Sequence, residues 1–517
     1  MPKKNRHVPG RALISGHAGV LFNSYIFLFA FLPLTLAAFY GLSAVGGAKA
    51  AKLWLILASL VYYGWWNPNY VFLILCSMLF NFALGRLMWQ GVGSPRRRKG
   101  LMLFGVAVNL LLLGYYKYAN FFVANINHVF GHSWTLDKII LPLGISFFTF
   151  QEVTYLVDAS RGVGCEYDPA DFVLFITFFP HSIAGPIVHH SEMMPQFARP
   201  ATYRFQWNNL AIGLSFFAVG LFKKVMVADT LSGHAAKIFD AAAAGIPFGP
   251  ADAWAGTLSY TFQIYFDFSG YCDMALGLAR MFGITLPLNF NSPYKAASFI
   301  DFWHRWHMTL SRCLRDYVYI PLGGNRRGEA RRYWNLMLTM LIGGIWHGAG
   351  WTFVIWGFFH GVCLALNHLW HSVRSKFFEQ QAGPSPVSVW GARMLTFFLV
   401  VIGWVFFRAA GFDAAKHVLA AMFHLSPSPV AGSPALLKPK VWFWLIGLIG
   451  FVWLTPNIAE LLHQFAPALN PFKGSLPDGN RWLRWRFTPG WALFAAALLA
   501  ASVLCLSHTS EFLYYNF

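Results

Sequence analysis

Along the chain, apolar runs alternate with short polar or basic breaks. Runs at 25–42, 53–66, 70–89, 101–116, 139–157, 172–179, 210–227, 254–268, 334–346, 352–370, 394–407, 441–454 and 491–506 are poor in charged residues. A bilayer core takes about 20 residues of straight helix, and about 17 is the lower limit. Several runs fall short of that limit and read as tilted, re-entrant or buried inside the protein. Non-helical backbone is tolerated at membrane depth where it lines a cavity. The pattern therefore predicts an all-α, polytopic integral membrane protein of about 11 transmembrane helices, with 10–13 compatible, plus re-entrant and interfacial helices.

Composition agrees. Of 517 residues, 57% are hydrophobic and 11% charged, with mean hydropathy +0.48. A soluble domain carries about 25% charged residues, and no polar stretch here is long enough to build one. Residues 1–20 form a basic N-terminal extension, with Lys3, Lys4, Arg6 and Arg11, and 21–517 read as a single membrane-embedded domain. The run at 25–42 is long enough to span and lacks a convincing cleavage site, so it is expected to stay.

The net charge is +19. Its basic groups sit in short loops between apolar runs, which argues against nucleic acid and follows the tendency of Lys and Arg to lie on the cytoplasmic side. Arg96, Arg97, Arg98 and Lys99, tightly placed between two runs, make that loop cytoplasmic and put the N-terminus outside; the basic tail argues the opposite. The six cysteines (Cys76, Cys165, Cys272, Cys313, Cys363 and Cys505) are scattered, form no Cys-x-x-Cys pair and read as small apolar residues.

Ionisable residues crowd into 299–361. His304 and His307 are three apart and share a face if 300–314 is one amphipathic helix, which then places His307 with Ser311 and Leu314. Trp303 and Trp306 suit a membrane interface. Asp301, Arg305, Arg312, Arg315 and Asp316 lie close by, followed by a basic loop with Arg326, Arg327, Arg331 and Arg332. An apolar run then ends in Trp346-His347-Gly348-Ala349-Gly350-Trp351. An ionisable group at membrane depth costs about 2 kcal/mol or more and points to function by default. A neutral imidazole suits removal of a proton from an alcohol near neutral pH, and Gly348 and Gly350 are expected to leave room for a substrate. The structural alternative is an imidazole hydrogen-bonded between helices.

Elsewhere, 178–187 reads as a broken helix carrying His181, with His189, His190 and Glu192 after it; their spacing matches no standard zinc site. Asp267 and Asp273 flank Gly270 and are expected to pair with Arg280, Arg305 or Arg315. Segments 384–386, 427–439 and 467–478 read as loops. A three-nitrogen metal site from His304, His307 and His347 lacks a carboxylate at a known spacing, so no metal is assigned. A Ser-His-Asp hydrolase lacks a Gly-x-Ser-x-Gly elbow.

The run Asp301-Phe302-Trp303-x-x-Trp306-His307-x-x-Leu310-Ser311, then Leu314-Arg315-Asp316-Tyr317-x-Tyr319-Ile320-Pro321-Leu322-Gly323-Gly324, then Trp346-His347-Gly348, resembles the membrane-bound O-acyltransferase family. The nearest likeness is to its bacterial, alginate O-acetyltransferase-like branch. The likeness runs from about Leu21 to the aromatic tail ending at Phe517. It implies a multi-pass protein of the bacterial inner membrane with His347 as catalytic base and His307 as the second histidine of a channel that crosses the bilayer. Asp301, Trp303, Arg305, Trp306, Ser311, Arg315, Asp316 and Trp346 are expected to shape that channel, with His360 behind His347. Arg326, Arg327, Arg331 and Arg332 are expected on the donor side. No bound cofactor is expected. Acetyl-CoA or another acyl thioester is the implied donor, an exported polysaccharide such as alginate or cellulose the acceptor, and a separate periplasmic SGNH-type acetyltransferase the partner. D-alanyl transfer to teichoic acid from a carrier protein is the alternative within the class, and a non-catalytic transporter the alternative outside it.

Overall fold

The computed structural model describes residues 21–90, 94–137, 139–163, 168–377, 385–425, 435–472, 483–506 and 513. The basic extension 1–20, Cys165, the aromatic tail apart from Leu513 and the predicted loop residues 384, 427–434 and 473–478 lie outside these residues. The α-helices are α1 (Leu32–Gly64), α2 (Asn69–Trp89), α3 (Pro95–Leu113), α4 (Ala119–Phe130), α5 (Ile145–Ser160), α6 (Pro169–Thr177), α7 (His190–Phe197), α8 (Trp207–Phe222), α9 (Asp229–Ala243) and α10 (Pro250–Met281). They continue as α11 (Phe299–Trp303), α12 (Met308–Leu314), α13 (Glu329–His347), α14 (Trp351–Phe377), α15 (Pro386–Arg408), α16 (Phe412–Met422), α17 (Lys440–Leu454), α18 (Ile458–Leu461) and α19 (Pro489–Leu504). Among the described residues there is no strand, only one isolated bridge between Pro287 and Leu469.

Seven helical segments among the described residues are long and apolar enough to cross a membrane. One of them, Phe27–Gly64, contains two predicted runs. Gly47 has φ 73°, ψ −174°, a backbone state open chiefly to glycine. The chain reverses there: the Trp54 indole donates to the Thr35 carbonyl at 3.1 Å, and the Phe27 and Tyr62 rings lie 6.0 Å apart. The runs at 139–157, 172–179 and 491–506 become helices α5, α6 and α19, each shorter than the roughly 17 residues a straight span needs. The run at 254–268 belongs to α10, which is buried along nearly its whole length. It is enclosed chiefly by α8, α9, α15, α16 and α17.

The two acids of α10 find partners other than those expected. Lys224 Nζ donates to Asp267 Oδ1 and Lys223 Nζ to Asp273 Oδ2, each at 2.6 Å. Both lysines open the π-helical segment Lys223–Ala228 that follows α8, whereas Arg305 and Arg315 pair locally with Asp301 and Asp316. Buried charges need a counter-charge at hydrogen-bond distance, and the neighbouring helix supplies it. The predicted continuous helix 300–314 is also two helices. The chain breaks after Trp303, and His307 at φ 44°, ψ 52° precedes α12.

Candidate active site

His347 is the last residue of α13, because Gly348 leaves the helix for extended backbone. After Gly348, Ala349 and Gly350 the chain re-enters as α14, so α13 and α14 form a helical hairpin. Their crossing is set by glycine: a Cβ on Gly344 would lie 2.4 Å from the Phe353 carbonyl oxygen and 3.0 Å from Gly357 Cα. Gly348 gives its space to the ring of Phe353, which an added Cβ would meet at 2.2 Å. That corrects the expectation that this glycine opens room for substrate.

The imidazole of His347 is 2% exposed. It lies 5.1 Å from the Trp356 ring of α14, 5.1 Å from the Phe407 ring of α15 and 6.4 Å from the ring of His307. The structure therefore brings the two predicted histidines together across 40 residues of sequence, with Trp346 6.0 Å from His307.

His307 is fully buried. Its Nδ1 lies 3.1 Å from Asn289 Oδ1, which also accepts from the Thr309 backbone N–H at 3.2 Å and from the Thr309 hydroxyl at 2.9 Å. A backbone N–H only donates, so this atom is the amide oxygen. Nδ1 must then carry the ring proton of the neutral imidazole, and Nε2 is its basic nitrogen. Thr309 Oγ1 in turn accepts from the Ile187 N–H at 2.9 Å, tying the 178–187 segment to the same point. Asn289 is the residue that sequence reasoning missed. Its signal in the sequence is the Asn289-Phe290-Asn291 run beside an apolar segment, which suits buried amide hydrogen bonding.

The surroundings are aromatic. Trp303 and Trp306 are 7% and 1% exposed, so they belong to the interior and not, as expected, to the membrane interface. Trp306 lies 4.8 Å from Trp404, and His360 is enclosed by Phe299, Trp303, Trp356 and Trp404. The indole N–H groups of Trp303, Trp346 and Trp356 and both nitrogens of His360 have no hydrogen-bond partner among the described residues. Buried donors are nearly always paired, so a concentration of unspent ones around His347 marks a place for acceptor atoms.

The remaining predicted residues lie outside this chamber. Asp301 and Arg305 pair at 2.6 Å, and Arg315 and Asp316 at 2.7 Å, all four partly or well exposed. Ser311 bonds weakly to the Trp306 carbonyl at 3.4 Å. His304 is exposed and packs on Phe472 at 5.0 Å, so it shares no face with His307. Arg326, Arg327 and Arg331 are exposed, and Arg332 bonds to His368.

A second cluster joins the end of α5 to the start of α7, outside the seven spanning segments. Asp158 Oδ2 meets His189 Nε2 at 2.9 Å, His190 Nε2 at 3.0 Å and the Tyr317 hydroxyl at 2.7 Å. Glu192 pairs with Arg312 through both carboxylate oxygens. His181 sits apart, 3.3 Å from Gln151. Among the described residues, Asp158, His189 and His190 are the group whose metal-ligating atoms converge, within 4.8 Å of one another; His304, His307 and His347 do not form such a group. Burial opposes the charge on Asp158, but hydrogen bonds from His189, His190 and Tyr317 outweigh it and hold the carboxyl well below the usual carboxylate range. Burial lowers the pKa of His190, and the bond to Asp158 offsets part of that.

Comparison with known proteins gives a consistent picture. The model of the membrane-bound O-acyltransferase family matches residues 141–407, a segment that contains both histidines, Asn289 and α10. The chain is 43% identical over 434 residues to a peptidoglycan O-acetyltransferase of Helicobacter pylori, covering 79% of this chain and 80% of that one. It is 42% identical over 412 residues to a probable alginate O-acetylase of Pseudomonas aeruginosa, covering 78% and 75%. To a protein of the same description from Pseudomonas putida it is 38% identical over 512 residues, 96% of this chain and all of that one.

Proposed function

Because this chain belongs to the membrane-bound O-acyltransferase family, and is an acyltransferase of the multi-pass membrane proteins that make it up, we propose that it moves an acetyl group from a cytoplasmic thioester, acetyl-CoA, for O-acetylation of an exported glycan. The bacterial inner membrane is the place such a reaction requires. The relatives are named for O-acetylation of peptidoglycan and of alginate, which supports a glycan acceptor here.

The observation that carries the reading is the His347–His307 pair in a chamber of aromatic rings with unspent indole N–H donors. In the proposed step the His347 imidazole takes the proton of the acceptor hydroxyl. The hydroxyl oxygen attacks the carbonyl carbon, the C–S bond breaks, and the imidazolium returns its proton to the leaving thiolate. Indole N–H groups of Trp346 and Trp356 are suited to hold the carbonyl oxygen as charge develops on it. His307, its Nδ1–H spent on Asn289, offers a second basic nitrogen 18 residues away in sequence from the amide that orients it. A separate periplasmic SGNH-type protein is the proposed recipient before the polymer, and the basic groups at 326–332 the proposed attraction for the phosphates of the donor.

The test is transfer of labelled acetyl groups from acetyl-CoA in membranes carrying the protein, with and without a candidate periplasmic partner. His347→Ala, inserted as well as wild type, is expected to lose transfer by at least about 100-fold, the lower bound of what a positioned base contributes. Equal labelling by wild type and H347A would remove the base assignment. Labelling by neither would move the reaction toward a carrier-delivered D-alanyl group or toward transport without chemistry.

A further inference from the structure

Helix α13 ends at the proposed base, and a helix C-terminus leaves its last four carbonyl groups without intrahelical donors. Two of these are capped from outside. The Lys117 ammonium donates to the Trp346 carbonyl at 2.5 Å and to Ser146 Oγ at 3.1 Å, and the Tyr118 hydroxyl donates to the Ile345 carbonyl at 2.7 Å. The capped carbonyls belong to the two residues directly before His347. Lys117 also lies 5.7 Å from the centre of the Trp346 ring, and it makes no ion pair among the described residues.

The local structure of the capping segment is unusual in a matching way. Gly114–Tyr118 is a π-helical turn between α3 and α4. In a regular α-helix adjacent side chains point about 100° apart, and the extra residue of a π-turn changes that direction. Such turns occur often at functional sites. Here the turn lets neighbouring residues 117 and 118 reach neighbouring carbonyls 346 and 345. A cation at a helix C-terminus also favours the local dipole.

We propose that Lys117, with Tyr118, is a positioning residue for His347, holding the final turn of α13 so that the imidazole keeps its place in the chamber. This rests on the reading of His347 as base. The base stands on a helix end, and an error of about 1 Å in its position is enough to cost about 100-fold in rate.

The experiment compares wild type, Lys117→Met, Lys117→Arg, Tyr118→Phe and His347→Ala in membrane vesicles. Steady-state transfer from labelled acetyl-CoA is measured, with hydrogen exchange of the 340–350 peptides on the same proteins. K117M is expected to lower kcat by about 10- to 100-fold with KM for acetyl-CoA within about twofold. K117R should regain most of that rate, and Y118F should lose less than K117M. The 340–350 amides should exchange faster in K117M and Y118F than in wild type. A kcat for K117M within twofold of wild type, a loss carried by KM, or a K117R as poor as K117M would each overturn the proposal. If K117M fails to accumulate as a folded protein, Y118F decides, and an unchanged kcat and exchange rate there overturns it. H347A separates the two ideas. An active H347A overturns the base reading, whereas an inactive H347A beside a fully active K117M overturns the positioning role alone.

Discussion

At the scale of single residues, the site depends on which nitrogen of each imidazole holds a proton. For His307 a short chain of bonds decides it: Ile187 N–H to Thr309 Oγ1, Thr309 to Asn289 Oδ1, and His307 Nδ1–H to that same oxygen. Asn289→Leu removes the acceptor and leaves the ring free to choose its tautomer and rotate. We expect acetyl transfer to fall about 10- to 100-fold, by analogy with loss of a residue that orients a ligating imidazole, while insertion stays normal. N289D, which keeps an acceptor at the same place, should lose less; transfer rates of the two variants check this. The two histidines were legible in the sequence from the Trp-x-x-Trp-His and Trp-His-Gly runs. Asn289 was not, because its value lies in meeting His307, and a sequence does not show which loop turns back onto which helix.

At the scale of elements, two outcomes differ from the pattern. The apolar spacing of 300–314 favours one amphipathic helix, yet His307 takes a left-handed backbone and splits it. That state is costly for a non-glycine residue. It is held by pairing of the loop backbone, Met308 N–H to the Asn289 carbonyl at 3.0 Å and Asn291 N–H to the Arg305 carbonyl at 2.9 Å. The split separates exposed His304 from buried His307, and periodicity cannot register it. The α13–α14 hairpin depends on bare backbone contact at Gly344. Gly344→Ala is expected to push the helices apart, costing about 1–3 kcal/mol as overpacking does, and to lower transfer by displacing His347. Gly447→Ala in α17, where an added Cβ meets nothing within 4 Å, should keep or slightly raise the melting temperature. Thermal unfolding in detergent, followed by tryptophan fluorescence, distinguishes the two.

At the scale of the whole molecule, long-range polar links join segments that are distant in sequence. The Asp158 cluster connects α5, the start of α7 and the π-helical segment Arg315–Tyr319. Both Asp158 and His190 have pKa values lowered by folding, so the unfolded chain binds more protons and acid favours unfolding. The His190 contribution is complete above its ordinary value of 6.5 and is lost as pH falls below it. The Asp158 contribution begins to fade only below about 3.9. The melting temperature is therefore expected to drop between pH 7 and pH 5. His190→Gln should flatten that drop, and an H190Q protein with the wild-type slope would assign it elsewhere.

The sequence by itself determined the class, the membrane setting and the family, and it marked the two candidate histidines, because hydropathy and short motifs are local properties written in consecutive residues. Burial of charge was also foreseeable for Asp267 and Asp273, but their partners were not: the cations nearest in the motif pair with their own neighbours, and two lysines of the adjacent helix do the pairing. Only the tertiary structure decided that Trp303 and Trp306 face inward, that Gly348 accommodates Phe353, that Asn289 sets the proton of His307 and that Lys117 reaches the end of α13. Each of these depends on how close two segments approach, and that distance is set by packing across the whole fold.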